Sequence, residues 1–152
     1  MKLLIVVVAA ACAKTPEVEC PDLRVTVDGA PLPAMPHGLA FSSKVNGQVT
    51  WYVDVSDVEV SCDQVPPNTG RTLRAGETSA SASVGFSKTV GIANMMVTND
   101  HVHMLGAPPS KPGDKLALCV DDASFKGDFD LYAGKTIVVN GELDGTYCGE
   151  KH

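Results

Sequence analysis

The chain has 152 residues and a formal charge of −6, with 18 acidic side chains against 12 basic ones. No basic patch interrupts that surplus, which excludes nucleic acid as a partner class. Aromatic residues are only 5 % of the chain, whereas valine occurs twenty times. A thin aliphatic core between sheets is therefore expected, because valine is stiff at χ1 and packs well on a pleated surface.

The chain opens with Met1-Lys2, runs on through Leu3-Leu4-Ile5-Val6-Val7-Val8-Ala9-Ala10-Ala11, and breaks at Cys12-Ala13-Lys14. A basic start, an apolar run and small residues before a break mark a secretory signal peptide, here residues 1–11. The run is about half of the ~20 residues that a membrane-spanning helix needs, so it reads as an export signal. Ala9-Ala10-Ala11-Cys12 resembles the lipobox of bacterial lipoproteins, in which the cysteine becomes the lipidated first residue of the mature chain. The resemblance implies a triacylated Cys12 that anchors stably in a membrane. With Ala13 rather than Asp next in the chain, it implies the outer membrane. Ordinary cleavage after Ala11 or Ala13 is the rival reading, and it releases a soluble periplasmic or secreted protein. Residues 12–21 then serve as a short tether, whose residues 13–19 span at most ~25 Å. Residues 22–152 form a single domain of a size that supports a real core.

Leu23, Val25 and Val27 alternate with Arg24, Thr26 and Asp28, which predicts a half-buried strand ended by Asp28-Gly29. Pro31, Pro33 and Pro36 make the next stretch a loop. Residues 39–45 and 48–55 flank Asn46-Gly47, the preferred pair for a two-residue type I′ hairpin. In its second arm Trp51, Val53 and Val55 face one way, Tyr52 and Asp54 the other. The alternation slips at Ser56-Asp57, and Val58, Val60 and Cys62 continue it on even numbers, which predicts a bulge or turn followed by more strand. Beyond a second loop at residues 65–76, Ala80, Ala82, Val84 and Phe86 alternate with Ser79, Ser81 and Ser83, a strand with a serine outer face. Residues 92–97 predict one further strand, and residues 106–114 a third proline-rich loop. Leu116, Leu118 and Val120 predict another strand. Residues 136–139 start a last pair, in which Asn140-Gly141 is a turn or a bulge. No window of a dozen residues keeps helical spacing. About eight short strands between Pro/Gly loops predict an all-β, antiparallel β-sandwich, immunoglobulin-like or jelly-roll-like.

Either cleavage route uses or discards Cys12 and leaves Cys20, Cys62, Cys119 and Cys148, an even set that reads as two disulfides in an exported chain. Three pairings are open, and face parity, which puts Cys119 and Cys148 both on outer faces, argues against joining Cys62 to Cys148. The ending Val139-Asn140-Gly141-Glu142-Leu143-Asp144-Gly145-Thr146-Tyr147-Cys148, with Val58-Glu59-Val60-Ser61-Cys62, resembles a pattern of bacterial envelope lipoproteins. There a mid-chain strand and the final strand each end in cysteine. That resemblance implies Cys62–Cys148 and leaves Cys20–Cys119.

One constellation offers chemistry: Asn99-Asp100-His101-Val102-His103-Met104, with Met95 and Met96 just before it. Two histidines two apart on a strand point the same way. Thioether sulfur beside imidazole favours copper, Cu(I) above all. The competing reading puts both histidines on a solvated face and the methionines in core gaps. His-Val-His also occurs in copper–zinc superoxide dismutases, which this chain resembles as an exported β-sandwich. That site needs more histidines than His37, His101, His103 and His152. Asp121, Asp122, Asp128 and Asp130 gather without an Asp-x-Asp-x-Asp-Gly loop, so a solvated acidic rim fits better than a Ca²⁺ site. Gly85-Phe86-Ser87-Lys88 lacks the final glycine of a Gly-x-Ser-x-Gly turn, and paired carboxylates for hydrolysis are set by space rather than by spacing along the chain.

The expected role is non-catalytic and needs no cofactor: a lipid-anchored binding or structural module of the cell envelope. It would present the loops at residues 30–38, 65–76 and 106–114 to a protein or glycan ligand. Copper handling through His101, His103, Met104, Met95 and Met96 is one alternative, and a small secreted hydrolase is the other.

Overall fold

The computed structural model describes residues 19–65 and 72–151. The expected signal peptide, the lipidation site Cys12, most of the tether, part of the second loop and His152 lie outside the described residues. The described chain is all-β. Ten strands join in one sheet: β1 Arg24–Val27, β2 Ala30–Pro31, β3 His37–Val45, β4 Gln48–Ser56, β5 Ser79–Val84, β6 Thr89–Ile92, β7 Met95–Thr98, β8 Val102–Leu105, β9 Lys115–Lys126 and β10 Thr136–Lys151. Two 3-10 turns, Cys62–Gln64 and Asp130–Tyr132, are its helical elements, and no α-helix occurs among the described residues.

β10 organises the sheet. Its odd-numbered residues face the core from Ile137 to Tyr147, and one of its edges runs antiparallel to the whole of β9 from Thr136 to Thr146. The other edge is shared. β1 pairs antiparallel at residues 137–140, and β3 pairs parallel from Thr146 onward. The sheet is therefore mixed, which corrects the expectation of an antiparallel one. β3 and β10 are joined through most of the chain, so no tight hairpin dictates their relative direction.

Local turn chemistry explains the remaining elements. Asn46 and Gly47 take φ of 50° and 81°, and Asp28-Gly29 repeats those values between β1 and the two-residue β2. These are the left-handed angles of the predicted type I′ turn. Residues 92–97 form a hairpin rather than one strand, because Ala93 and Asn94 also turn left-handed, at 47° and 68°. Val58 and Val60 continue no strand. The Ser56 hydroxyl donates to Glu77 and accepts the Val58 N–H, while Asp57 holds the Thr78 N–H, so the chain leaves the sheet at Ser56. The serines of β5 are not a solvated face either: Ser79 and Ser83 are buried, and the Ser83 hydroxyl lies 2.8 Å from that of Thr89 on β6.

β9 carries one extra residue against β10. Val139 faces Ala123 and Gly141 faces Val120, so two steps on β10 match three on β9. Asp122 sits in the bulge with φ 45°, its N–H 3.3 Å from the Asn140 side-chain oxygen. A bulge shifts the period of two by one. Leu116, Leu118 and Val120 accordingly point into the core on even numbers, and Ala123 does so on an odd one.

The core is aliphatic, as valine content predicts, and it is filled by Val53, Val90, Val102, Val120, Val139 and Leu143 among others. β4 and β5 pack against β9, and β5 also against β8, without sharing hydrogen bonds with those strands. Two disulfides, Cys20–Cys119 and Cys62–Cys148, close over chain separations of 99 and 86 residues. Cys119 and Cys148 both stand on outward positions, as parity requires, and each takes its partner from a segment outside the strands or in a 3-10 turn.

Candidate functional site

The parallel pairing of β3 with β10 begins where two glycines meet. A Cβ on Gly145 would fall within 2.7 Å of the backbone of Gly38 and Leu39, and a Cβ on Gly38 would strike the Asp144 carbonyl. The two backbones approach so closely because neither residue has a side chain. Above this contact lies a groove of about 610 Å³. Its walls come from separate parts of the chain: Pro36 and His37 end the first loop, Glu59 and Ser61 follow β4, and Gly113 closes the third loop. Lys115 and Asp144 face it from β9 and β10, and Cys62, held to Cys148, completes one side.

Two of the groove's charges pair with each other. Lys115 forms a salt bridge with Asp144, and the hydrogen bond to that carboxylate, then its charge, hold the ammonium pKa above the ordinary lysine value. The third loop is fixed from within. Asp114 accepts the Ser110 N–H, the Ser110 hydroxyl and the Lys111 N–H, at 2.9, 3.0 and 3.1 Å. Those bonds, the Ser110 N–H foremost, hold its carboxyl below the usual carboxylate range. The loop is tied to β10 by Gly113 N–H to the Tyr147 carbonyl at 2.9 Å and by Tyr147 N–H to the Asp114 carbonyl at 2.8 Å. Tyr147 itself is buried against Trp51, and its hydroxyl is 2.8 Å from the Ser42 hydroxyl.

The arrangement suits recognition of a polar surface. It offers an imidazole, a carboxylate at Glu59, an ammonium–carboxylate pair and bare backbone at the glycines. Ser61 hydrogen-bonds to Asp63, whose carboxyl is lowered by that bond, and the Ser61 N–H goes to Gln64 at 3.0 Å. Among the described residues no Ser–His hydrogen bond lines the groove.

The residues of the predicted metal constellation differ in exposure. His101, in the turn before β8, and His103, within it, are both exposed, with Val102 buried between them. His101 has Nδ1 3.1 Å from the Asp121 carbonyl, and its N–H donates to Asn99. Met104 turns inward and packs against the core. Met95 is buried, its sulfur 3.4 Å from the Asp128 N–H, and Met96 is exposed on β7. Burial thus divides the set: His101, His103 and Met96 are exposed, Met104 is half-buried and Met95 is buried. Among the described residues no three His, Cys, Asp or Glu side chains gather as a metal site.

Sequence reading missed His37, Glu59, Lys115 and Asp144, which sit in four segments with no common spacing. The one usable signal was Gly38 and Gly145, single glycines inside alternating runs, where a close backbone approach is the usual cause. No family model matches this chain, and neither a curated protein nor a solved structure is similar to it.

Proposed function

We propose that this chain is an exported module of the cell envelope, lipid-anchored through Cys12, that binds a protein or glycan partner without transforming it. The fold fits a two-layer β-sandwich, with β4 and β5 in one layer and β8 and β9 in the other, because these strands pack together without pairing. The apolar run before Cys12 supports export, and two disulfides accord with an oxidising compartment. One observation carries the binding role: the first and third proline-rich loops converge with the Glu59–Ser61 backbone on a single groove of about 610 Å³. Loops held on a rigid scaffold are where recognition is usually placed.

A photo-crosslinking residue at Glu59, with another at the exposed Ser124 as control, tests this in intact cells. Discrete adducts at Glu59 and none at Ser124 are expected; equal labelling at both positions overturns the groove. Fractionation of a Cys12→Ala variant tests the anchor separately, and a variant that stays with the membrane overturns it. A copper-handling reading draws on the exposure of His101 and His103 to either side of the buried Val102. Tight one-to-one Cu(I) binding that is lost in a His101→Ala/His103→Ala variant would establish it in place of the module.

A further inference from the structure

We propose a second recognition surface, at the other end of β9, that takes an extended apolar segment bearing lysine or arginine by adding it as a strand to β7. β7 is a terminal strand of the sheet, paired only with β6 among the described residues. The two-residue turn at Ala93-Asn94 makes Ile92 and Met95 the closing hydrogen-bonded pair, so Val90 and Val97 are the next. Met96 and Thr98 thus direct their N–H and C=O groups away from β6, and neither has another backbone partner among the described residues. Native edges are normally blunted by proline, lysine or a cover. The opposite edge follows that rule, since β2 ends in Pro31 with Pro33 beyond it. β7 reads Met-Met-Val-Thr and has no such guard among the described residues.

The free edge borders a cavity of about 320 Å³ between β7 and the end of β9, lined by Met96, Phe125 and Phe129. Asn94 and Phe129 also line an adjoining cavity of about 540 Å³, where Leu73, Leu131 and Tyr132 supply apolar walls. Leu131 is 78 % exposed, Phe129 58 % and Met96 51 %. Such a concentration of apolar surface at one place marks an interaction site in a folded protein. The loop presenting it is built to hold still. Gly127 N–H bonds the Lys135 carbonyl, Gly134 N–H bonds the Gly127 carbonyl, and Lys135 N–H bonds the Tyr132 carbonyl, at 2.9, 2.8 and 3.0 Å.

Charge selects the occupant. Asp128 lines the first cavity and Asp130 the second, and neither makes an ion pair among the described residues. Lys126 also lines the first cavity, but its ammonium is turned to the Thr136 hydroxyl, 2.6 Å away. A strand with apolar side chains for the cavities and cations for Asp128 and Asp130 satisfies edge, cavities and charge together, which is the strand-addition mode of peptide recognition. A second copy of the chain satisfies the edge but brings the same carboxylates and a second charge of −6 against them.

The test uses the mature full-length chain and a fluorescent peptide, Lys-Val-Lys-Leu-Lys-Val-Lys, read by anisotropy. Three controls accompany it: the glutamate-for-lysine peptide, the same lysine peptide N-methylated at alternate amides, and a Met96→Pro variant. Saturable binding of the lysine peptide is expected, weakened at least tenfold by each of the three changes and by Asp128→Lys/Asp130→Lys. The N-methylated peptide decides the matter should Met96→Pro fail to fold. Equal binding of the N-methylated or the glutamate peptide overturns the proposal, as does no binding at all. A dimer in sedimentation that Met96→Pro abolishes would overturn it in favour of a second copy. Labelling at Glu59 is unaffected by any of these results, so this surface and the groove stand or fall separately.

Discussion

Tyr147 shows how much one side chain can fasten. Its ring packs in the core beside Trp51, its hydroxyl meets Ser42, and its backbone holds the third loop at Gly113 and Asp114. Tyr147→Phe keeps the ring and the backbone bonds but strands the buried Ser42 hydroxyl. Leaving a buried polar group without its partner costs about 1–3 kcal/mol. A loss in that range by chemical denaturation, with an unchanged slope, is expected. Asp114 sets a pH dependence of known sign. Its folded pKa lies below the unfolded value, so its contribution is complete above the ordinary carboxylate range and is lost as pH falls through the depressed folded value. The amide resonances of Ser110 and Lys111 should therefore move only in strongly acidic solution. They should lose that titration in Asp114→Asn.

At the level of strands, the β3–β10 contact depends on the absence of side chains. Gly145→Ala places a methyl against the backbone of Gly38 and Leu39, which has no flexible end to give way. A destabilisation of about 1–3 kcal/mol is expected, as for other overpacking changes. The Cys62→Ala/Cys148→Ala variant should lose about 2–5 kcal/mol. Both effects are measurable as shifts in the denaturation midpoint. These strands also show what sequence reading can reach. Asn46-Gly47 announces its hairpin because it names the turn, whereas Ala93-Asn94 adopts the same angles without a glycine and passes as the middle of one strand. Val58 and Val60 alternate like strand residues, yet the hydrogen bonds of Ser56, Asp57, Glu77 and Thr78 take the chain out of the sheet. Period two identifies a strand and its faces but carries no information about its partner. The parallel β3–β10 pair was hidden for that reason, and with it the groove, whose walls meet only once that pair has formed.

For the whole molecule, β9 sets the distance between the two proposed surfaces. Lys115 borders the groove and Lys126 the apolar cavity beside β7, which separates them by about 35 Å of strand. Cys119, bonded to Cys20, lies between, so the proposed tether leaves from the middle of the body and not from either end. The position of β10 has a different bearing, on the order in which the protein comes into being. The last of the described strands in chain order is the one that β1, β3 and β9 all need as a neighbour. A chain emerging from its N-terminus can pair β1 with the two-residue β2 at once, but meets its long partner only when residues 137–140 appear. Its first disulfide partner for Cys62 arrives later still. Chains arrested with residues 136–151 still concealed should be digested completely by added protease, and release should confer resistance in one step. Protection that grew gradually with length would contradict this order. A protein assembled in this way stays threadable until β10 appears, which is the state a chain must keep to cross a membrane before it folds.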